Sequence, residues 1–139
     1  MPVTIGVMAR PPVPGKCKTR LSPPLSPHAA AALYSAMLQD SLAAYARVEA
    51  ARHVVMAAPE DDGLAMLREL APPSWEVVPQ VGDGLGARLA HAFTVLGEGG
   101  GAVALLDSYS PTVPVTPMGS ALARIDGQDG ALVGPCDDG

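Results

Sequence analysis

The chain has 139 residues, is 48% apolar and carries a net charge of -5, with a pI near 4.9. That acidic balance excludes nonspecific binding to a nucleic-acid backbone, and no apolar run reaches the ~20 residues of a membrane span. The length sets one domain, 1–139, as the expectation.

Val3 to Met8 reads as a buried first strand. A basic, proline-rich loop follows. Ser26-Pro27 supplies a helix cap and a first-turn proline, and the stretch from His28 to about Val48 is helical, with Leu33, Met37, Leu38, Leu42 and Tyr45 at helical spacing. His53 to Ala58 is a second strand, and Pro59-Glu60-Asp61-Asp62 opens a helix to about Leu70. Trp75 to Val78 is a third strand. Gly82-Asp83-Gly84-Leu85-Gly86 opens a third helix, with Leu89, Ala92, Phe93 and Leu96. Ala102 to Leu106 is a fourth strand, followed by a proline-rich loop, a short helix near Met118 to Ile125, and a last strand at Ala131 to Val133. This alternation predicts right-handed βαβ units: an α/β, Rossmann-like three-layer sandwich with a mostly parallel sheet. Ligands of such sheets bind at the carboxyl ends of the strands, which singles out the loops at 9–21, 107–114 and 134–139.

The first of these loops concentrates charge. Arg10, Lys16, Lys18 and Arg20 are four of the nine basic residues, and they lie between an apolar strand and a helix. This pattern points to a local anion site, with Lys16, Lys18 and Arg20 on phosphates beside the backbone N–H groups near Gly15; the alternative is a solvated basic loop. The spacing is not that of a Walker A loop. Cys17, flanked by two lysines, is expected to have a lowered pKa. Gly82, Asp83 and Gly84 either contact a base or ribose or form a helix-entry turn with Asp83 as the cap. Arg88, one helical turn on, either reaches phosphate or, the favoured reading, is a surface arginine. Asp137 and Asp138 are either metal or acid/base groups at a strand end or a solvated terminus. His28, His53 and His91 lack metal-ligand spacing and are read as structural. The start at Met1 lacks the basic residues and apolar stretch of a signal peptide, and Cys17 and Cys136 form no disulfide framework, so a cytoplasmic setting is expected.

Four segments together carry a family likeness: Pro12-Val-Pro-Gly-Lys-Cys-Lys-Thr-Arg-Leu21, Leu25-Ser-Pro-His-Ala-Ala-Ala-Ala-Leu-Tyr34, Gln80-Val-Gly-Asp-Gly-Leu-Gly-Ala-Arg-Leu89 and Gly134-Pro-Cys-Asp-Asp-Gly139. In order and content they resemble a bacterial glycosyltransferase-A-like family. It is related to cofactor nucleotidylyltransferases such as the phospholactate and molybdenum-cofactor guanylyltransferases. The resemblance implies the nucleotide-diphospho-sugar transferase fold. It also implies a nucleotidylyl- or glycosyltransferase-like enzyme that takes an NTP or NDP-sugar with Mg²⁺. The implied roles are phosphate binding for Gly15, Lys16, Lys18 and Arg20, nucleotide binding for Gly82, Asp83 and Gly84, catalysis for Lys18, Asp107 and Tyr109, and metal binding for Asp107, Asp137 and Asp138.

The chain departs from the family pattern in two places. The family carries a metal-binding aspartate after the fourth strand, and Tyr109 stands there instead. A neutral phenol, with an ordinary pKa of ~10, does not replace a carboxylate as a hard-cation ligand. Asp107 points to the same side but lies ~7 Å back along an extended chain. The chain also ends early relative to the family. These departures keep two alternatives open: a non-catalytic anion-binding or partner protein, and a metal-free biosynthetic enzyme working through Asp107 and Tyr109. The expected ligand is a small nucleotide or phosphorylated substrate. An open sheet edge raises the expectation of a homo-oligomer.

Overall fold

A computed structural model describes residues 3–125 and 127–135. Four strands, β1 (Val3–Ala9), β2 (Ala51–Ala57), β3 (Glu76–Pro79) and β4 (Val103–Leu106), form one sheet in the order β3-β2-β1-β4. Every pairing is parallel: β1 runs in register with β2 from Val3 against Ala51, and with β4 from Thr4 against Val103. Four α-helices connect and follow them: α1 (Pro27–Tyr45), α2 (Gly63–Leu70), α3 (Gly84–Gly97) and α4 (Val115–Ile125).

Strand order dictates the layers. The steps β1 to β2 and β2 to β3 move the same way across the sheet, so right-handed crossovers put α1 and α2 on one face. The return from β3 to β4 moves the other way and puts α3 on the opposite face. The core divides accordingly. Tyr34, Leu38, Leu42 and Tyr45 of α1, Leu67 of α2 and Leu122 of α4 pack on Ile5, Val7 and Val55. On the other face Ala92 and Leu96 of α3 pack on Val54 and Met56. Gly6 permits this close docking, because a side chain there would meet Leu96 and Leu105 at 2.6 and 2.7 Å.

The start of α1 follows the sequence: the Ser26 hydroxyl accepts from the Ala29 N–H at 3.1 Å, with Pro27 in the first turn. Its inward stripe differs from the expected one. Leu33 is exposed and Tyr34 is buried, because the Tyr34 hydroxyl finds polar partners inside. The expected strand at 131–133 does not form. Leu132 and Val133 are exposed, and among the described residues no strand pairs with their backbone, which a strand requires. The helix expected at Pro59 instead begins with a 3-10 turn, Glu60–Asp62, in which Asp61 and Asp62 adopt left-handed backbone.

Candidate functional site

The chain leaves β1 into the basic loop and leaves β4 into 107–114. These strands are neighbours, with β2 and β3 on one side of β1 and β4 on the other, so the strand order reverses at the crevice outside their carboxyl ends. This is the switch point where open parallel sheets bind ligands.

The basic loop curls on itself through Val13 N–H to the Pro11 carbonyl at 2.8 Å and Lys16 N–H to the Val13 carbonyl at 3.0 Å. Gly15 allows the turn with φ of 78°. Lys18 then takes left-handed backbone, φ 47° and ψ 41°, a conformation that costs a β-carbon-bearing residue of order 1–3 kcal/mol. That kink sends the cations to different places. Lys16 is exposed and, with Arg10, lines a cleft of about 230 Å³ above the ends of β1 and β2 whose other walls are Pro11, Ala58, Glu60 and Asp61. Lys18 turns to the crevice, where its ammonium sits 3.1 Å from the centre of the Tyr109 ring and 5.8 Å from that of Tyr34. Arg20 is exposed on the 3-10 turn Thr19–Leu21. Burial lowers the pKa of the Lys18 ammonium, and the Asp107 carboxylate pulls it back up.

Cys17 corrects the expectation from its neighbours. The loop turns its side chain inward, 5% exposed, with Sγ 3.5 Å from the Val13 carbonyl. Burial therefore raises the thiol pKa, outweighing the opposing fields of Lys18 and Arg10.

The wall after β4 is tied down from within. Asp107 accepts from the Tyr109 N–H at 3.0 Å and from the Ser110 hydroxyl at 2.8 Å. Ser108 is buried against the Tyr34 hydroxyl at 2.8 Å, and that hydroxyl also accepts from the Arg10 N–H at 3.0 Å. Tyr34 thus joins both walls of the crevice to α1. Burial raises its pKa, with the bonds from Ser108 and Arg10 opposing.

The third motif sits beside the 230 Å³ cleft. Asp83 occupies the cap position of α3 but its side chain makes no capping bond. Arg88, read as a surface arginine, is instead a clamp. Its Nε donates to the Gly82 carbonyl at 3.0 Å, its Nη1 to Gln80 Oε1 at 3.4 Å, and both Nη groups to the Glu60 carboxylate. Gln80 is buried and donates to the Met56 and Ala9 carbonyls at 2.7 and 3.4 Å. Sequence reasoning missed this chain of contacts. Its one advance signal was the Gln80–Arg88 spacing around the glycines, which binds a strand end to the following helix turn.

Among the histidines, His53 packs on Trp75 with ring centres 4.9 Å apart and has Nε2 3.1 Å from the Tyr45 carbonyl, a structural role. A larger cleft, about 690 Å³, lies at the opposite end of the sheet between α4 and the starts of β1 and β2, away from the carboxyl ends where such sheets work.

Residues 41–139 match the family described as "uncharacterized protein conserved in bacteria" (DUF2064). The chain belongs to the DUF2064 family. A solved structure from Desulfovibrio desulfuricans G20, provisionally described as a nucleotide-diphospho-sugar transferase, is 31% identical to this DUF2064 chain with a TM-score of 0.79. The match covers 88% of this chain and 54% of that one, so this chain spans about half the length of the solved relative. No curated protein matches the chain. Fold and family expectations thus stand together: a parallel α/β sheet of the nucleotide-diphospho-sugar transferase type. No described helix is long and apolar enough to cross a membrane.

Mg²⁺ takes near-octahedral oxygen ligands, with one or two carboxylates plus substrate phosphates. Of the three aspartates the resemblance implicates, Asp137 and Asp138 lie outside the described residues. Asp107 offers a carboxylate with both oxygens already accepting, and a phenol and an ammonium stand beside it. No group of three or more metal-ligating side chains forms among the described residues. The described side chains do not make a Mg²⁺ site by themselves.

Proposed function

We propose that this DUF2064 chain binds the phosphates of an NTP or a nucleoside-diphosphate-linked substrate across the crevice between β1 and β4, and serves nucleotidylyl or glycosyl transfer. The observation that carries this reading is the position of Lys18, a cation of the basic loop brought to the switch point against Tyr109. Phosphate oxygens are recognised by ammonium groups and by loop N–H groups. In this reading Lys18 meets the phosphates in the crevice, while Lys16, Arg20 and the N–H groups near Gly15 add positive charge from the loop around it. The nucleoside lies toward Gly82, Asp83 and Gly84, whose backbone Arg88 holds in place. Asp107 orders the facing wall through Tyr109 and Ser110. The name given to the solved relative supports the substrate class.

One observation favours a second reading. Tyr109 occupies the position at which the resembled family carries a metal-binding aspartate, and this supports a protein that binds the same anion without turnover.

Thermal unfolding with GTP, CTP, UTP, ATP and the matching diphosphates tests the proposal. A rise in Tm of several degrees with one nucleotide is expected, by mass action on the native state. No shift with any of them, with inorganic pyrophosphate also silent, overturns it. Nucleotide binding without release of diphosphate or sugar over a panel of acceptors moves the conclusion to the second reading.

A further inference from the structure

We propose that the Lys18 ammonium, held between the Tyr109 and Tyr34 rings beside Asp107, takes the place of a divalent cation, so that this crevice binds a diphosphate without Mg²⁺. The inference rests on the phosphate-binding reading above and adds to it the source of the positive charge.

Three independent features converge on that ammonium. The first is backbone: Lys18 is held in left-handed conformation, and the kink aims its side chain away from Lys16 and into the crevice. The second is the seat. Two aromatic rings face one ammonium, at 3.1 and 5.8 Å, and a ring face attracts a cation within ~6 Å. The third is the wall opposite. A phenol stands where the resemblance implies a metal-binding carboxylate, and Asp107, the one described carboxylate of the three it implicates, already accepts from Tyr109 and Ser110. A second cation at this point would face Lys18 directly, and like charges in a half-buried crevice repel. The arrangement therefore suits one fixed positive charge that a diphosphate approaches from solvent. Tyr109 holds that charge without neutralising it. An aspartate at the same position would form an ion pair with Lys18 and cancel the attraction for phosphate.

Calorimetric titration of the full chain with inorganic pyrophosphate and with GDP, each in EDTA and in magnesium chloride, tests the inference. Affinity in EDTA is expected to be no weaker than in Mg²⁺. Lys18→Met should weaken pyrophosphate binding in EDTA by about tenfold or more, the loss of one charge-assisted contact. Tyr109→Phe keeps the ring and should bind within about twofold of the natural chain, whereas Tyr109→Asp should lose about tenfold in EDTA. Far-ultraviolet dichroism and Tm of each variant establish that it is folded, and the titration of the natural chain stands without any variant. Binding that needs Mg²⁺, by about tenfold or more, overturns this inference and leaves the phosphate-binding reading intact. Undiminished binding by folded Lys18→Met also overturns it. No binding of either probe in either condition overturns both.

Discussion

The Tyr34 and Ser108 hydroxyl oxygens lie 2.8 Å apart across 74 residues of sequence. The bond pins the loop after β4 to the middle of α1, and the Arg10 N–H at 3.0 Å adds the loop after β1 to the same oxygen. Both walls of the crevice are referred to one phenol.

Tyr34→Phe should therefore destabilise the fold although it keeps the ring. The buried Ser108 hydroxyl and the part-buried Arg10 N–H lose their hydrogen bond, at a cost of about 1–3 kcal/mol. Urea unfolding checks this: the midpoint falls while the slope stays constant. An unchanged midpoint means that solvent already serves Ser108 and Arg10. Lys18→Met, by contrast, should leave the midpoint nearly unchanged, since its contacts are to ring faces.

Alkaline pH should destabilise the protein through Tyr45. Burial, reinforced by the Asp107 carboxylate, pushes this phenol up to about 12. The folded state keeps its proton at a pH where the unfolded chain, near ~10, has released it. The contribution is present in full below pH ~10 and is lost as pH rises toward 12, amounting to about 2 kcal/mol. Tyr34 shifts in the same direction. The unfolding free energy followed from neutral to high pH should fall in that window, and Tyr45→Phe should flatten the fall.

Gly63→Ala separates packing from helix propensity. Gly63 opens α2, and in an exposed helix such a change stabilises by about 1 kcal/mol. Here an added β-carbon runs into the Ala58 carbonyl oxygen and lies 3.2 Å from Pro11 Cδ. Backbone must move, so a net loss of about 1–3 kcal/mol is expected. A raised Tm would mean that α2 shifts freely away from the end of β2.

Cys17 should resist alkylation. In a Cys136→Ser background, the rate with iodoacetamide at mildly alkaline pH should be at least about tenfold slower in the folded chain than in denaturant, because burial both raises its pKa and blocks access. A rate equal to that of the unfolded chain would place the thiol outward.

Sequence carried the alternation of strands and helices, the Ser26 cap and the position of the loops after β1 and β4 at the carboxyl edge of the sheet, because each rests on residues close together in the chain. It did not carry strand order, and so could not place α3 alone on its face of the sheet. Nor did it reveal how the basic loop divides. Neighbouring lysines suggest an activated Cys17, yet the turn through Val13 and Lys16 buries the thiol. The kink at Lys18 separates it from Lys16, only two positions away. Its partner Tyr109 lies far along the chain, beyond any local pattern. The strand expected at 131–133 had the right apolar residues but no neighbour to pair with among the described residues.

The register of β1 against β4, Thr4 beside Val103, also sets an order of assembly. β1 can pair with β2 while most of the chain is still unstructured, but the crevice has only one wall until the fourth strand arrives. Closing so long a loop is the slow part of building a parallel sheet. The proposed anion affinity thus belongs to the finished fold alone, and a folding intermediate that holds β1, β2 and α1 has a basic loop with nothing facing it.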